Sequence, residues 1–158
     1  TAAMDTWFSQ GTEIVFACGG GIFTSAAEAA AKVGGKMIGV DSDQSPIIDA
    51  YGEGMTVTSA MKGLGATVKA MLNSIIVDGT WEEHVGKIEN LGLVSGTDTS
   101  VNYVGLPEDT TQWNENFTVE DYHQLVQKIY DGEIQIDNSI DKMPEVSVKV
   151  NERQGSIM

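Results

Sequence analysis

Three groups of residues in this chain could do chemistry at a ligand: the consecutive glycines Gly19, Gly20 and Gly21, the acid Asp41, and the lysine Lys62. Glycines between a strand and a helix let the backbone turn sharply and let a ligand approach the amides, while the helix amino end favours polar or anionic groups. A tight turn packed on its own helix would use the same residues. Asp41 follows an apolar run, and a carboxylate at the carboxyl end of a buried strand lies where open α/β sheets bind ligands. It could accept two hydroxyl hydrogen bonds from a ribose, or be a solvated loop acid. If Ser59 caps a helix starting at Ala60, Lys62 stands in the first turn, where a cation opposes the helix dipole by ~0.3 to 1 kcal/mol. A charge so placed suggests a second task, although surface lysines also occur there.

These parts fit several kinds of site. A dinucleotide fingerprint asks for Gly-x-Gly-x-x-Gly and an acid about 20 residues on; Gly19, Gly21 and Asp41 comply, but Thr24 stands at the third glycine position. A phosphatase of the haloacid dehalogenase type would use Asp41, Asp43, Ser59 and Lys62, yet no acidic pair follows to hold magnesium. Ser45 and Pro46 break an EF-hand reading of the same acids. The single cysteine, Cys18, reads as a small buried hydrophobe, and His84 and His123 lack metal-ligand spacing. The sequence thus calls for neither a metal nor a cofactor.

The elements that must position these residues are short. Residues 12 to 18, TEIVFAC, read as a buried strand; Thr24 to Val33 as a helix ended by Gly34 and Gly35; and KMIGVD, residues 36 to 41, as a second strand. That is one right-handed βαβ unit of an α/β fold with a parallel sheet flanked by helices. After a polar stretch around Ser45 to Gly54, MTVTS predicts a third strand and residues 60 to 79 a helix. Its apolar face is Met61, Leu64, Val68, Met71, Leu72 and Ile75, expected in the core. Trp81 to Glu89 fits a helix or a loop. LGLVSG with VNYVGLP reads as one or two strands, residues 118 to 132 as a helix opened by a capping box of Thr118 and Asp121, and EVSVKV as a terminal strand. Only about three strands sit in clear βα units, which is few for a doubly wound sheet and leads us to expect an upstream half.

Composition narrows the partners. With 9 basic and 23 acidic residues the formal charge is −14, which repels nucleic acid and anionic lipid alike. No run approaches the ~20 apolar residues of a membrane helix. The chain starts at Thr1 and not at an initiator methionine, which leaves room for a signal peptide, lipid anchor or domain upstream.

The segments EIVFACGGGIFTSAAEAA, KMIGVDSDQS and MTVTSAMKGLGATV, in that order, resemble the later half of the basic membrane lipoprotein (BMP) family, and GLVSGTDTSVNYVGLP extends the likeness over nearly the whole chain. GVDxDQ followed by TSxxK is its most specific part. The resemblance implies a solute receptor of an ABC importer, not an enzyme, with the type I periplasmic-binding fold and purine nucleosides as ligands. Residues 1–58 would belong to the carboxyl-terminal lobe, and residues 59–158 would supply a hinge-crossing helix and elements shared between lobes. The amino-terminal lobe, with its base-stacking aromatics, would be absent. Asp41 and Lys62 would hold the ribose, Gly19, Gly20 and Gly21 would offer amides, and Phe23 would neighbour the base. GGGIF is shorter than the family's usual glycine loop. Partners would be the permease and the missing lobe; the location would be the cell envelope, with membrane attachment only through a lipid anchor. The alternatives are a nicotinamide-dependent oxidoreductase domain and a response-regulator-like interaction domain with Asp41, Asp43 and Lys62 at its edge.

Overall fold

The computed structural model describes residues 2–152. Its order is α1 (Ala2–Ser9), β1 (Ile14–Phe16), α2 (Phe23–Ala31), β2 (Lys36–Asp41), α3 (Ser45–Ile48), β3 (Thr56–Lys62), α4 (Leu64–Asn73), β4 (Val104–Gly105) and α5 (Val119–Tyr130). The four strands form one sheet in the order β1-β2-β3-β4. The first three are parallel, and β4 runs antiparallel to β3 through Met61↔Gly105 and Lys62↔Val104. The fold is therefore α/β with a mixed sheet, where the sequence had predicted a parallel one.

One face of the sheet carries the core. The alanines of α2 present almost no side-chain bulk, so the helix lies close against the strands; Ala26, Ala27, Ala29 and Ala30 pack with Val15, Met37, Ile48, Phe8 and Phe23. Helices α1, α2 and α3 all contribute to this cluster, so all three cover the same face. Burying such side chains is worth roughly 1.5 to 3 kcal/mol each for the larger ones. Helix α5 lies on the side of the opposite face and leaves Ile14 and Phe16 there about half exposed; its Tyr122 and Val126 are buried, and the Tyr122 hydroxyl accepts the Leu106 N–H at 3.1 Å. The capping box expected at the start of α5 is present: Thr118 Oγ1 accepts the Asp121 N–H, and Asp121 Oδ2 accepts the Thr118 N–H.

The structure departs from the sequence expectation at several elements. The strand expected to stop at Ser59 continues to Lys62, because Gly39, Val40 and Asp41 of β2 offer partners as far as Met61. Helix α4 consequently begins at Leu64, after Gly63, and passes into a π-helical turn over Ser74–Asp78. Its apolar residues are not core: no side chain of α4 is buried, and Leu64, Val68 and Leu72 are 57%, 58% and 50% exposed. Trp81–Glu83 is a short 3-10 turn. LGLVSG is a loop and not a strand, tied down by the buried Asn102, whose Oδ1 accepts the N–H groups of Val94 and Ser95. EVSVKV is exposed and irregular and pairs with none of the four strands; a period-2 pattern does not make a strand without pairing.

Candidate functional site

Asp41 is the one non-glycine residue with positive φ among the described residues, at 71°. The Ser42 N–H donates to the Val40 carbonyl at 2.9 Å, closing a γ-turn with Asp41 at its centre. The positive-φ form of this turn is strained, and such strain is tolerated mainly by Asp, Asn and Gly. The result is a carboxylate turned out at the end of β2. There it meets Lys62 at the end of β3, Oδ1 to Nζ 2.6 Å, with the two side chains 38% and 63% exposed. This hydrogen bond, then the charge behind it, holds the Lys62 ammonium above the ordinary lysine value. Lys62 is thus a strand-end residue and not a first-turn helical one, so no opposed helix dipole needs explaining.

The support beneath this pair is buried. Gln44 and Ser59 are both buried; the Gln44 N–H donates to Ser59 Oγ at 3.1 Å, and Gln44 Oε1 accepts the Val40 N–H at 3.1 Å. Gly39 closes the arrangement, since a Cβ there would lie 2.5 Å from Ser59 Oγ and 3.0 Å from Gln44 Cβ. Three letters of GVDxDQ and TSxxK therefore build the pedestal, while Asp41 and Lys62 are what it displays. Asp43 is engaged elsewhere: its Oδ1 accepts the Ser45 N–H and its Oδ2 the Thr110 hydroxyl. It does not pair with Asp41 as a phosphatase or phospho-acceptor cluster would require.

The glycines follow β1 on the same sheet edge. Gly20, at φ 47°, turns the chain into a 3-10 turn over Gly20–Ile22 that runs into α2. Gly20 and Gly21 are exposed, and their amides belong to the start of a helix, where intrahelical acceptors are lacking. Thr24 Oγ1 donates to the Gly21 carbonyl, so the place a dinucleotide fingerprint keeps for a glycine carries a bonded side chain. Phe23, expected beside the base, is buried in the core under α2. Cys18, expected to be buried, is exposed: β1 ends at Phe16, and Cys18 borders an open hollow instead of packing in the core.

Two hollows adjoin Lys62. One of about 250 Å³ is lined by Lys62, Gly63, Thr99, Asn102 and Glu108. The other, about 790 Å³ and mainly apolar, runs between the second sheet face and α5, past Phe16, Cys18, Val40 and Val126. Sequence reasoning missed Glu108, whose carboxylate accepts the Thr99 hydroxyl at 2.7 Å and contacts His123 Nε2 at 3.0 Å. These bonds, the threonine's first, hold its pKa below the ordinary glutamate value. An isolated Glu in a polar loop carries no signal that its partners will be Thr99 and a helix histidine.

A second polar chain joins Ser74 Oγ to His84 Nε2 and His84 Nδ1 to Glu89, each at 2.9 Å. The order is that of an acyl-transfer relay. However, Ser74 is buried, its hydroxyl also bonds Thr80, and its N–H is bound to Ala70 and Met71 carbonyls, so it offers neither access nor an oxyanion donor. Its effect is to fasten the end of α4. Among the described residues there is no group of three His, Cys, Asp or Glu that could hold a metal, and no helix long and apolar enough to cross a membrane. No family model matches the chain, and no curated protein does.

Proposed function

We propose that this chain is the sugar-holding part of an extracytoplasmic solute receptor of the BMP type. Such a receptor is a binding protein of an ABC importer that closes two lobes on a purine nucleoside and passes it to a permease. The single observation that carries the reading is Asp41 in a strained turn at the carboxyl edge of the parallel strands, opposite Lys62. An exposed acceptor carboxylate beside a donor ammonium suits the vicinal hydroxyls of a ribose, each of which donates and accepts. The type I periplasmic-binding fold, an amino-terminal lobe that reads the base and a lipid anchor at the cell envelope belong to the same proposal.

The test is titration calorimetry with adenosine, guanosine and inosine on the polypeptide that includes its upstream residues. Asp41→Asn preserves shape and tolerance of positive φ while removing the charge. A charge-assisted hydrogen bond is worth roughly 1.5 to 3 kcal/mol, so affinity should fall on the order of ten- to a hundredfold. Unchanged affinity in the variant, or no binding of any nucleoside by the parent, defeats the reading.

A further inference from the structure

The hollow of about 250 Å³ beside Lys62 is lined by polar side chains whose hydrogen-bonding capacity can be followed one by one. The Thr99 hydroxyl proton is spent on Glu108, and the Ser100 hydroxyl proton on Asp98. Asn102 is turned to Val94 and Ser95. Lys62 carries three donor hydrogens and gives one to Asp41, which leaves two. Glu108 is its acceptor counterpart. Thr99 and His123 both contact Oε1, at 2.7 and 3.0 Å, and among the described residues Oε2 has no hydrogen-bond partner. Those bonds, the threonine's first, hold the carboxyl below its ordinary pKa, so at neutral pH Oε2 can only accept. One hollow thus keeps an unspent ammonium and an unspent carboxylate oxygen.

A hydroxyl, which donates and accepts, is the group that satisfies both. A phosphate or carboxylate would meet Glu108 as a like charge, and an ammonium would meet Lys62 as one. The larger hollow that Lys62 also borders has no acid among its described lining residues, and Phe16, Val40 and Val126 make it apolar. A hydroxyl entering there would lose its water without gaining an ionised acceptor. We infer that Glu108 is a third solute anchor, accepting the primary 5′-hydroxyl of a nucleoside whose vicinal hydroxyls lie on Asp41 and Lys62. In a ribose the carbon that bears the hydroxymethyl group is bonded to the carbon that bears the 3′-hydroxyl. With the vicinal pair on Asp41 and Lys62, the 5′-hydroxyl therefore comes to the space that Lys62 shares with Glu108. The inference rests on the nucleoside reading of the charge pair and adds to it a demand for a free 5′-hydroxyl.

Titration calorimetry on the polypeptide that includes its upstream residues tests it, setting adenosine, guanosine and inosine each against its 5′-deoxy analogue. Loss of a hydroxyl that bonds a carboxylate should weaken binding by the parent about ten- to a hundredfold. Glu108→Gln and Glu108→Ala should each bring a nucleoside and its analogue to within about threefold of one another. Thr99→Val removes a bond to Oε1 and leaves Oε2 in place, so it should keep the preference of the parent. Equal binding of a nucleoside and its 5′-deoxy analogue by the parent overturns the inference and leaves the assignment of Asp41 and Lys62 untouched. A preference that survives both Glu108 variants overturns it as well. So does a preference that Thr99→Val abolishes along with them, since the effect then belongs to the loop and not to the carboxylate. If the parent binds no nucleoside, the reading of the charge pair fails and this inference falls with it.

Discussion

At the scale of single residues, Asp41 and Lys62 were visible in the sequence because strand-end acids and isolated lysines stand out against apolar runs. Their geometry was not. Lys62 reads as helical from its neighbours, and only the pairing of Val40 and Asp41 with Ala60 and Met61 keeps it extended. Phe23 looked available because a helix start is often exposed; the close approach of the alanine helix to the sheet draws its ring inside instead. Glu108 carries a residue-level prediction. A carboxyl held below its ordinary pKa stabilises the fold fully above the unfolded-state value, and that stabilisation is lost as pH falls through the folded value. Glu108→Gln should therefore lower the urea midpoint at pH 7, with the gap closing below about pH 4. The side chain is about a third exposed, so the difference at pH 7 should stay under about 1 kcal/mol. A gap that widens on acidification would refute the assigned hydrogen bonds.

At the scale of elements, β2 and the α5 capping box were fully legible, since a short apolar run between Lys36 and Asp41 and a Thr-x-x-Asp cap are local signals. The shift of α4 by several residues was not, because whether residues 60 to 62 extend or coil depends on a strand distant in sequence. The pedestal under the site belongs here too. Gly39, Gln44 and Ser59 look like loop and strand polars in sequence, yet together they form one buried knot between β2, α3 and β3. Ser59→Ala removes the acceptor of the Gln44 N–H and leaves a buried donor unpaired, which costs about 1 to 3 kcal/mol. Urea unfolding should show the loss, and an unchanged midpoint would mean that the knot does not hold the strand ends together.

At the scale of the whole molecule, the α/β class was legible and the burial of α4 was not: a helical apolar stripe says that some surface will cover it, not which. In residues 1–158 that stripe faces solvent. Val68→Glu should accordingly change the stability of this chain by no more than about 0.5 kcal/mol, whereas Met37→Ala in the core should cost roughly 2 to 5. Comparable losses for the two would place α4 inside the folded unit. The position of α4 has a mechanical side as well. It is a rod of roughly 15 Å that begins two residues after Lys62, with Gly63 pinned to the Tyr103 carbonyl at its base. On the receptor reading proposed above, a partner that gripped the rod would pull on this joint and, through it, on the strand end that carries the Lys62 ammonium beside Asp41. On the same reading, linkage would make the traffic two-way: a solute on the charge pair would bias the angle at which the arm is presented.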